Sequence, residues 1–244
     1  MIGTLVRREE LSPEVEGEMY RLFDRHFEGV GHARFAADLA EKNWVLLLSD
    51  EAERLMGFST LLFYTVSWQG QPYSIVYSGD TIVDPAAWNS SVLSRSWIES
   101  VLRLHAEHGQ GPLLWLLITS GFRTYRLLTL FWREFHPRYD RETPEATRRL
   151  VDHLARQRFG ERYDAAAGVV RFAEPQRLRE HLTGIPDKRR EDPHVAFFAR
   201  ANPGFERGDE LVCLAELSSA NLTPAGRRMV AAGAVRGVRE GVTL

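Results

Sequence analysis

Two long apolar segments joined by a short turn constrain the fold of this chain more than any other feature of its sequence. Leu55–Trp68 and residues 73–83 are rich in β-branched and aromatic side chains, and residues 69–72 between them have the composition of a turn. A shorter apolar run, residues 44–48, precedes them and ends at a polar turn. We therefore predict three consecutive strands that pair as an antiparallel meander.

The chain then alternates between helical and strand patterns. Residues 92–107 have the periodicity of a helix, and the strongly apolar residues 113–119 follow them as a strand. A strand, a helix and a second strand in this order form a βαβ unit, whose right-handed crossover places its two strands parallel. The sequence therefore predicts an α/β fold class with a mixed, mostly antiparallel central sheet, one βαβ unit and helices on both faces.

The remaining segments add helices and strands at both ends of the chain. Ser12 and Pro13 are typical of an N-cap and a first helical position, and Thr143 and Pro144 repeat that pattern. We find no linker between segments, so we expect one enlarged domain over residues 1–244, with a core of about 1–137 and C-terminal elements, 138–244, that complete the sheet. Further helices are predicted on residues 33–42, 122–135 and 223–234, and strands on residues 3–8, 169–172, 194–200 and 210–217.

The composition argues against several classes of protein. Acidic residues number 33 against 31 basic residues, which does not favour the broad basic surface that nucleic acid requires. The single cysteine, Cys213, rules out an internal disulfide and a cysteine-based zinc cluster. No apolar run is long enough for a membrane span, and the first residues lack the apolar core of a signal peptide. We therefore expect a soluble, cytoplasmic protein without a nucleic-acid partner.

The order of these elements over about residues 5–137 resembles the GNAT superfamily of N-acetyltransferases. The most telling segment is residues 79–93, with the sequence GDTIVDPAAWNSSVL. In that superfamily the corresponding strand ends in an apolar pair and a proline. A loop of the form Arg/Gln-x-x-Gly-x-Gly/Ala then opens a helix and holds the pyrophosphate of CoA. The resemblance implies the GNAT fold and an acyl donor that is activated as a thioester.

The loop itself departs from the superfamily pattern. Trp88 and Asn89 stand where an arginine and a glycine are expected, and Ser90 and Ser91 replace the small loop residues. Amide groups at a helix N-terminus bind phosphate even without glycine, and serine hydroxyls add donors. The resemblance therefore implies a donor site for acyl-CoA or an acyl carrier protein that comprises Trp88, Asn89, Ser90, Ser91 and Val92.

The chemistry of amine acylation identifies further candidates on the preceding strand. The reaction requires a base for the ammonium proton and a hydrogen-bond donor for the oxyanion that forms at the thioester carbonyl. In similar enzymes this donor is a backbone amide of the strand that corresponds to Ile82 and Val83, and the edge of that strand pairs with the pantetheine arm. Asp80 is the candidate base, because the strand period places it on the same face as Ile82. The alternative for Asp80 is a structural hydrogen bond in a turn after Gly79.

Other candidate residues lie on the helices and strand ends around this segment. Tyr125 is the candidate acid for the departing thiolate, and its alternative is a core or rim tyrosine. Ser120 is a candidate substrate contact at a strand end, and its alternative is an N-cap. Tyr20 lies on a helix expected over the acceptor cleft and is a second substrate candidate. His105 and His108 lack a third metal ligand, so no metal site is predicted.

The leading hypothesis is an N-acyltransferase that moves an acyl group directly from the thioester to an amine of a small molecule or peptide. The apolar residues 113–118 and 127–132 suit a long acyl chain, as in the branches that make N-acyl amino acids or lipidate peptides, or else form only a packed core. In this hypothesis residues 138–244 also shape the acceptor side. The alternatives are an inert GNAT-like module that binds a ligand or partner, and an unrelated α/β fold.

Overall fold

The computed structural model describes residues 1–29, 31–87, 90–179, 184–233 and 239–240. The chain divides into two compact units. The first unit contains residues 1–26, 30–113 and 224–244, and the second contains residues 27–29 and 114–223. The boundary thus follows Leu113, whereas the core was predicted to extend to about residue 137. The single enlarged domain over residues 1–244 stays a prediction.

The elements follow one another largely in the predicted order, including the strand, helix and strand of the βαβ unit, β5, α3 and β6. The strands are β1 (Ile2–Arg7), β2 (Phe27–Glu28), β3 (Trp44–Ser49), β4 (Leu55–Trp68), β5 (Gln71–Val83), β6 (Leu113–Thr119), β7 (Tyr163–Asp164), β8 (Val169–Val170), β9 (Arg177–Leu178), β10 (Glu210–Glu216) and β11 (Arg239–Glu240). The helices are α1 (Pro13–Asp24), α2 (His32–Ala40), α3 (Val92–His108), α4 (Phe122–Phe131), α5 (Glu145–Phe159), α6 (Asp187–Arg190), α7 (Pro193–Ala201) and α8 (Pro224–Gly233). Within the described ranges, no helix combines the length and the apolar character that crossing a membrane requires.

The first unit is built on the predicted meander. β1, β3, β4 and β5 pair antiparallel in that order, and β11 pairs with β1 in parallel. Gln69 and Gly70 both have positive φ, as a tight hairpin turn requires, so β4 and β5 fold directly onto each other. The predicted class, a mixed α/β structure whose strands pair mostly antiparallel, is confirmed.

Helices cover both faces of this meander. The ring of Phe35 on α2 packs edge-on against Phe58 of β4 with 6.3 Å between centroids, and α1 packs beside α2. Gly57 precedes Phe58 in β4 and therefore belongs to the opposite face of the sheet. It pairs with Leu48 of β3, which pairs with Gly3 of β1, so Gly3 belongs to that opposite face as well. A Cβ on Gly3 would lie 2.2 Å from the hydroxyl of Ser96, so α3 lies on that second face. The prediction of helices on both faces is therefore confirmed for the first unit.

The local signals predicted for α1 act as expected. The Ser12 hydroxyl accepts a hydrogen bond from the amide of Val15 at 3.4 Å, and Pro13 occupies the first helical position. Met19 and Phe23, one turn apart, are both buried. The cap at Ser12 thus determines where the helix begins, and its buried apolar side chains determine which face of the helix packs against the strands.

The second unit contains its own antiparallel strands. β6, β10, β8 and β7 pair in that order, and β2 pairs with β9 as a separate two-stranded sheet. Residues 113–119 of β6 are buried without alternation, which is typical of a strand covered on both faces. α4 packs against α7, and α5 packs against β10.

The prediction of a strand on residues 194–200 is wrong, because these residues lie in helix α7. Asp192 accepts a hydrogen bond from the amide of His194 at 3.0 Å, and Pro193 takes the first helical position. Val195 and Phe198 are both buried, at a spacing that places them on one helical face. The apolar composition favoured a strand, whereas the capping residues decide in favour of a helix.

Two helix boundaries also differ from the prediction. α4 ends at Phe131 and not at residue 135, because Trp132 already has an extended backbone. α5 begins at Glu145 with Pro144 as its cap residue, so Thr143 is not the N-cap. Both differences lie beside aromatic or proline residues, where sequence patterns define an element better than its end.

Candidate active site

A β-bulge interrupts the pairing of β4 and β5 in the first unit. The register shifts between Ser59 and Leu61 of β4, so that Thr60 faces two residues of β5, Gly79 and Asp80. A bulge of this kind bends the strand and re-aims the side chain that it carries. The predicted base, Asp80, is therefore the second residue of a bulge and not part of a regular strand.

Gly79 is required at this bulge by the side chains around it. A Cβ at residue 79 would lie 2.5 Å from Oγ1 of Thr60 and 2.6 Å from Cε of Lys42. The Nζ atom of Lys42 would lie 3.3 Å from the same point. The absence of a side chain on Gly79 thus lets an ammonium group pack directly against the backbone next to Asp80.

Lys42 is a lysine whose side chain is 0% exposed. Its ammonium donates hydrogen bonds to the backbone carbonyl of Asp38 at 2.8 Å and to Oδ2 of the same residue at 2.7 Å. It also lies 5.7 Å from the centroid of the Tyr77 ring, within range of a cation–π contact. A charge at this depth requires a charged partner, and Asp38 provides it.

The Asp80 carboxyl titrates in a field set by these groups. Its loss of hydration, reinforced by the negative charge of Asp38, raises the pKa of Asp80 to about 7, against opposing effects of Lys42 and Arg34. A carboxylate with a pKa near neutrality holds and releases a proton at physiological pH. Such a pKa is one property that a general base needs, and the role of Asp80 as the base stays a prediction.

Asp80 and Ile82 lie on the same face of β5, the face that α2 covers. Ile82 is buried and pairs in register with Phe58, whose ring contacts Phe35 of α2. The ring of Tyr20 lies 5.6 Å from that of Phe35, so this substrate candidate belongs to the same aromatic layer. Tyr20 is partly exposed. The structure thus brings Asp80, Ile82 and Tyr20 to one face of the first unit.

The described residues between β5 and α3, 84–87 and 90–91, contain turn hydrogen bonds on either side of residues 88–89. Asp84 accepts a hydrogen bond from the amide of Ala86 at 3.0 Å and starts the first turn. The hydroxyl of Ser90 accepts from the amide of Val92 at 3.2 Å. Ser90 and Ser91 directly precede α3, as predicted. The other predicted donor contacts, Trp88 and Asn89, lie outside the described residues.

The first turn of α3 carries a positive charge that the sequence analysis missed. Arg95 donates a hydrogen bond from Nη2 to the hydroxyl of Ser91 at 3.1 Å, and the first turn contains no acidic residue. A helix N-terminus already carries a positive partial charge, and Arg95 adds to it, although Glu99 one turn later lies within the field of the same guanidinium. Val83 precedes this segment at the end of β5 and is half-buried.

Tyr125 lies in the second unit with its side chain in the core. It is fully buried, and its hydroxyl donates a hydrogen bond to the carbonyl of Pro137 at 2.9 Å. Its ring packs against Phe135 and Phe198. Burial raises the pKa of Tyr125. This placement favours the alternative of a core tyrosine, and the role of acid for the thiolate stays a prediction.

Ser120, also in the second unit, lines a small cavity. The cavity measures about 20 Å³ and is bounded by Phe122, Leu178 and Phe205 among others. This volume holds roughly one water molecule, far less than an acceptor substrate needs. The helix cap that follows is Gly121 and not Ser120. The assignment of Ser120 to substrate binding stays a prediction.

The apolar residues proposed to line an acyl chain are largely packed. Residues 113–119 are buried, as are Leu128, Phe131 and Trp132, whereas Leu130 is 49% exposed. This pattern fits the alternative of a packed core. Among the described residues, no group of three His, Cys, Asp or Glu side chains has the arrangement of a metal site.

Comparisons with known proteins give distant likenesses. No family model matches the chain, and no curated protein matches it. Parts of the chain are similar to a conserved protein of Enterococcus faecalis V583 described as a probable N-acyltransferase, with 18% identity, a TM-score of 0.41, and coverage of 55% of this chain and 33% of that one. The chain thus spans about a third of the length of the Enterococcus protein.

Two further solved structures are similar at the same level. One is the GNAT family N-acetyltransferase YhbS of Escherichia coli in complex with CoA, with 19% identity, a TM-score of 0.37, and coverage of 52% of this chain and 67% of that one. The other is an acetyltransferase of Trypanosoma brucei, with 14% identity, a TM-score of 0.39, and coverage of 58% and 99% respectively. These values are too low to assign the chain to a family.

Proposed function

We propose that this chain is an N-acyltransferase of GNAT type, which transfers an acyl group from a thioester directly to an amine. The observation that carries the proposal is the bulge at Gly79 and Asp80, which holds a carboxylate of near-neutral pKa beside a buried ammonium group. The order of strands and helices around it is the one that the resemblance to the GNAT superfamily implies. Strongly perturbed pKa values cluster at functional sites, because a general base must be poised near neutrality.

Asp80 supplies the proton acceptor in the proposed reaction. An alkylammonium has a pKa near ~10.4, so the acceptor enters protonated and loses its proton to the Asp80 carboxylate, directly or through water. The neutral nitrogen then forms a bond to the thioester carbonyl carbon, and the carbon–sulfur bond breaks. The nitrogen loses its second proton as the amide forms, and that proton passes through water to the departing sulfur, whose thiol has a pKa near ~8.5, so no dedicated acid is needed. The reaction therefore does not require Tyr125.

The donor is proposed to bind along the end of β5 and the start of α3. The backbone of Ile82 and Val83 would pair with the pantetheine arm as an added strand and donate to the oxyanion. The helix N-terminus, the hydroxyls of Ser90 and Ser91, and the guanidinium of Arg95 would hold the pyrophosphate. Arg95 thus compensates for the glycines that the loop lacks.

The classes of donor and acceptor follow from the same residues. A pyrophosphate site at α3 favours a CoA thioester, and an acyl carrier protein is the alternative donor. The acceptor is an amine of a small molecule or peptide, and Tyr20 on the aromatic layer is proposed to contact it. Since the proposed acyl-chain lining is mostly packed, we propose a short or medium acyl group before a long one.

The test is transfer by the wild type and by Asp80→Asn. The protein is incubated with CoA thioesters of graded chain length and a panel of amines, and N-acylated products are measured by mass spectrometry. We expect the wild type to form a product, and Asp80→Asn to lose about 10²- to 10⁴-fold in rate while its thermal shift with the donor is unchanged. Asp187→Asn, at a side chain that is 99% exposed, is the matched control and should retain full rate.

Two results would contradict the proposal. Full activity of Asp80→Asn would remove Asp80 from the reaction. The absence of thermal shift and of product with every CoA thioester and with acyl carrier protein would favour an inert module of the same fold.

A further inference from the structure

Lys42 is one of only two lysines in a chain whose basic residues are otherwise arginines. The other, Lys188, is exposed on α6. Arginine keeps its charge in almost any environment, whereas lysine is a compact point charge on a flexible stem. The compact ammonium group of a lysine suits the buried position, where it packs against the backbone of Gly79.

The position of Lys42 links α2 to the bulge. Two of its ammonium protons are donated to Asp38, four residues earlier at the end of α2. The end of the same side chain packs against Gly79. A Cβ built on Gly79 would lie 2.6 Å from Cε of Lys42 and 3.3 Å from its Nζ. Any movement of Lys42 therefore acts on the backbone that immediately precedes Asp80.

The charges that act on Asp80 come from a small number of groups. Asp38 and Arg34 belong to α2, Lys42 follows that helix, and Tyr77 lies on β5 beneath the ammonium. Thr60 of β4 adds a hydroxyl at the bulge that is buried and lacks a hydrogen-bond partner within the described part of the chain. Lys42 and Arg34 favour the charged carboxylate of Asp80, and Asp38 opposes it.

We propose that Lys42, held by Asp38, is the positioning residue of the Asp80 base: it fixes the Gly79–Asp80 bulge and sets the pH range over which Asp80 accepts a proton. The inference rests on the proposed function, in which Asp80 is the base. Lys42 itself forms no bond to substrate. Asp38 has the opposite electrostatic effect on Asp80 and holds the ammonium in place.

The experiment follows the titration of Asp80 directly, without a substrate. The full chain is labelled with ¹³C at aspartate carboxyl groups, and the Asp80 signal is assigned by its loss in Asp80→Asn. The wild-type midpoint is expected at about pH 7. Lys42→Met should raise it by about 1 pH unit or more, because a nearby positive charge is removed, and Asp38→Asn should lower it. Lys188→Met, the matched control, should leave it unchanged.

Removal of one partner from a buried ion pair can prevent folding. The double variant Asp38→Leu with Lys42→Met replaces both charges by apolar groups, so we expect it to fold and to have a midpoint between those of the single variants. The acid limb of the transfer rate should move in parallel with the carbon signal in every folded variant.

The two proposals fail in different ways. An Asp80 midpoint that is the same in the wild type and in the variants of Lys42 and Asp38 overturns the positioning role, whatever the activity. Normal transfer by Asp80→Asn overturns the base, and with it the proposed function, even where the titration moves as expected.

Discussion

At the scale of single residues, the candidate site is one buried ammonium group and two partly exposed carboxyl groups whose charges act on one another. The Lys42 ammonium is fully buried against Asp38, and Asp80 lies within the field of both. An isolated buried charge costs several kcal/mol, so the Lys42 ammonium depends on its partner Asp38. A change to one of them is therefore expected to move the titration of its neighbours.

The raised pKa of Asp80 gives a testable pH dependence of stability. The folded value, about 7, lies above the ordinary value of 3.8, so the folded state binds the proton more tightly than the unfolded state. The contribution of Asp80 to stability is thus fully present below pH 4 and is lost as the pH rises toward 7. Asparagine does not titrate, so the Asp80→Asn variant does not lose this stability as the pH rises. The free energy of unfolding of the variant minus that of the wild type should therefore increase by about 1 kcal/mol or more between pH 4 and pH 8.

Denaturant unfolding of both proteins across this pH range measures the difference. Asp187→Asn, in which an exposed carboxylate is replaced, should follow the wild type throughout. A difference between Asp80→Asn and the wild type that does not vary with pH would show that Asp80 titrates at an ordinary pH.

The site could be predicted from the sequence only in part. Asp80 was identifiable because a strand period relates it to Ile82 two residues later. The role of Lys42 was not, because its contacts with Gly79 and Tyr77 join the end of a helix to a strand, and no local pattern specifies how the two approach. The scarcity of lysine in the chain was the one available signal, and it does not by itself indicate a partner.

At the scale of elements, the bulge in β5 is the feature on which the site depends. Thr60 faces two residues of β5, which turns the Asp80 side chain toward α2. The bulge is tightly packed, because Oγ1 of Thr60 and Cε of Lys42 lie only 2.5 Å and 2.6 Å from the point where a Cβ of residue 79 would lie. Any side chain at residue 79 must displace one of them.

Gly79→Ala is expected to destabilise the protein and to disturb the site. Overpacking a filled position costs about 1–3 kcal/mol, and here the neighbours that must move include the ammonium that holds the bulge. Gly17→Ala is the matched control. Gly17 lies inside α1 near only the end of Arg21, so alanine there should stabilise by about 0.5–1 kcal/mol. Chemical denaturation of both variants gives the comparison.

The transfer rate separates the two glycine variants further. Gly79→Ala should lose activity beyond what its lower stability explains, and Gly17→Ala should keep the wild-type rate. Equal stability of Gly79→Ala and the wild type would contradict the packing described for the bulge.

Most elements could be predicted because their patterns are strong and local. The long β-branched and aromatic runs of β4 and β5, and the cap at Ser12, each specify one structure. Residues 194–200 were mispredicted because short apolar runs suit a strand or a buried helix equally, and the cap at Asp192 carried the decision. The bulge could not be predicted, since it depends on the register between two strands.

At the scale of the whole molecule, the chain builds its two units from segments that are far apart in sequence. Residues 27–29 belong to the second unit, and α8 belongs to the first although more than a hundred residues of the second precede it. Composition and periodicity do not indicate which unit a segment belongs to, because both depend only on residues that are close together in the sequence. The sequence could therefore predict the elements but not their grouping.

The central claim is that this molecule acylates an amine with Asp80 as the base. The most direct measurement is the initial rate of thiol release from a CoA thioester, with an amine acceptor, as a function of pH. We predict a rate that rises through about pH 7 and then levels off, because activity requires the charged carboxylate, and a far lower rate for Asp80→Asn without that step. No thiol release from CoA or carrier-protein thioesters, or the same pH profile in both proteins, would contradict the claim.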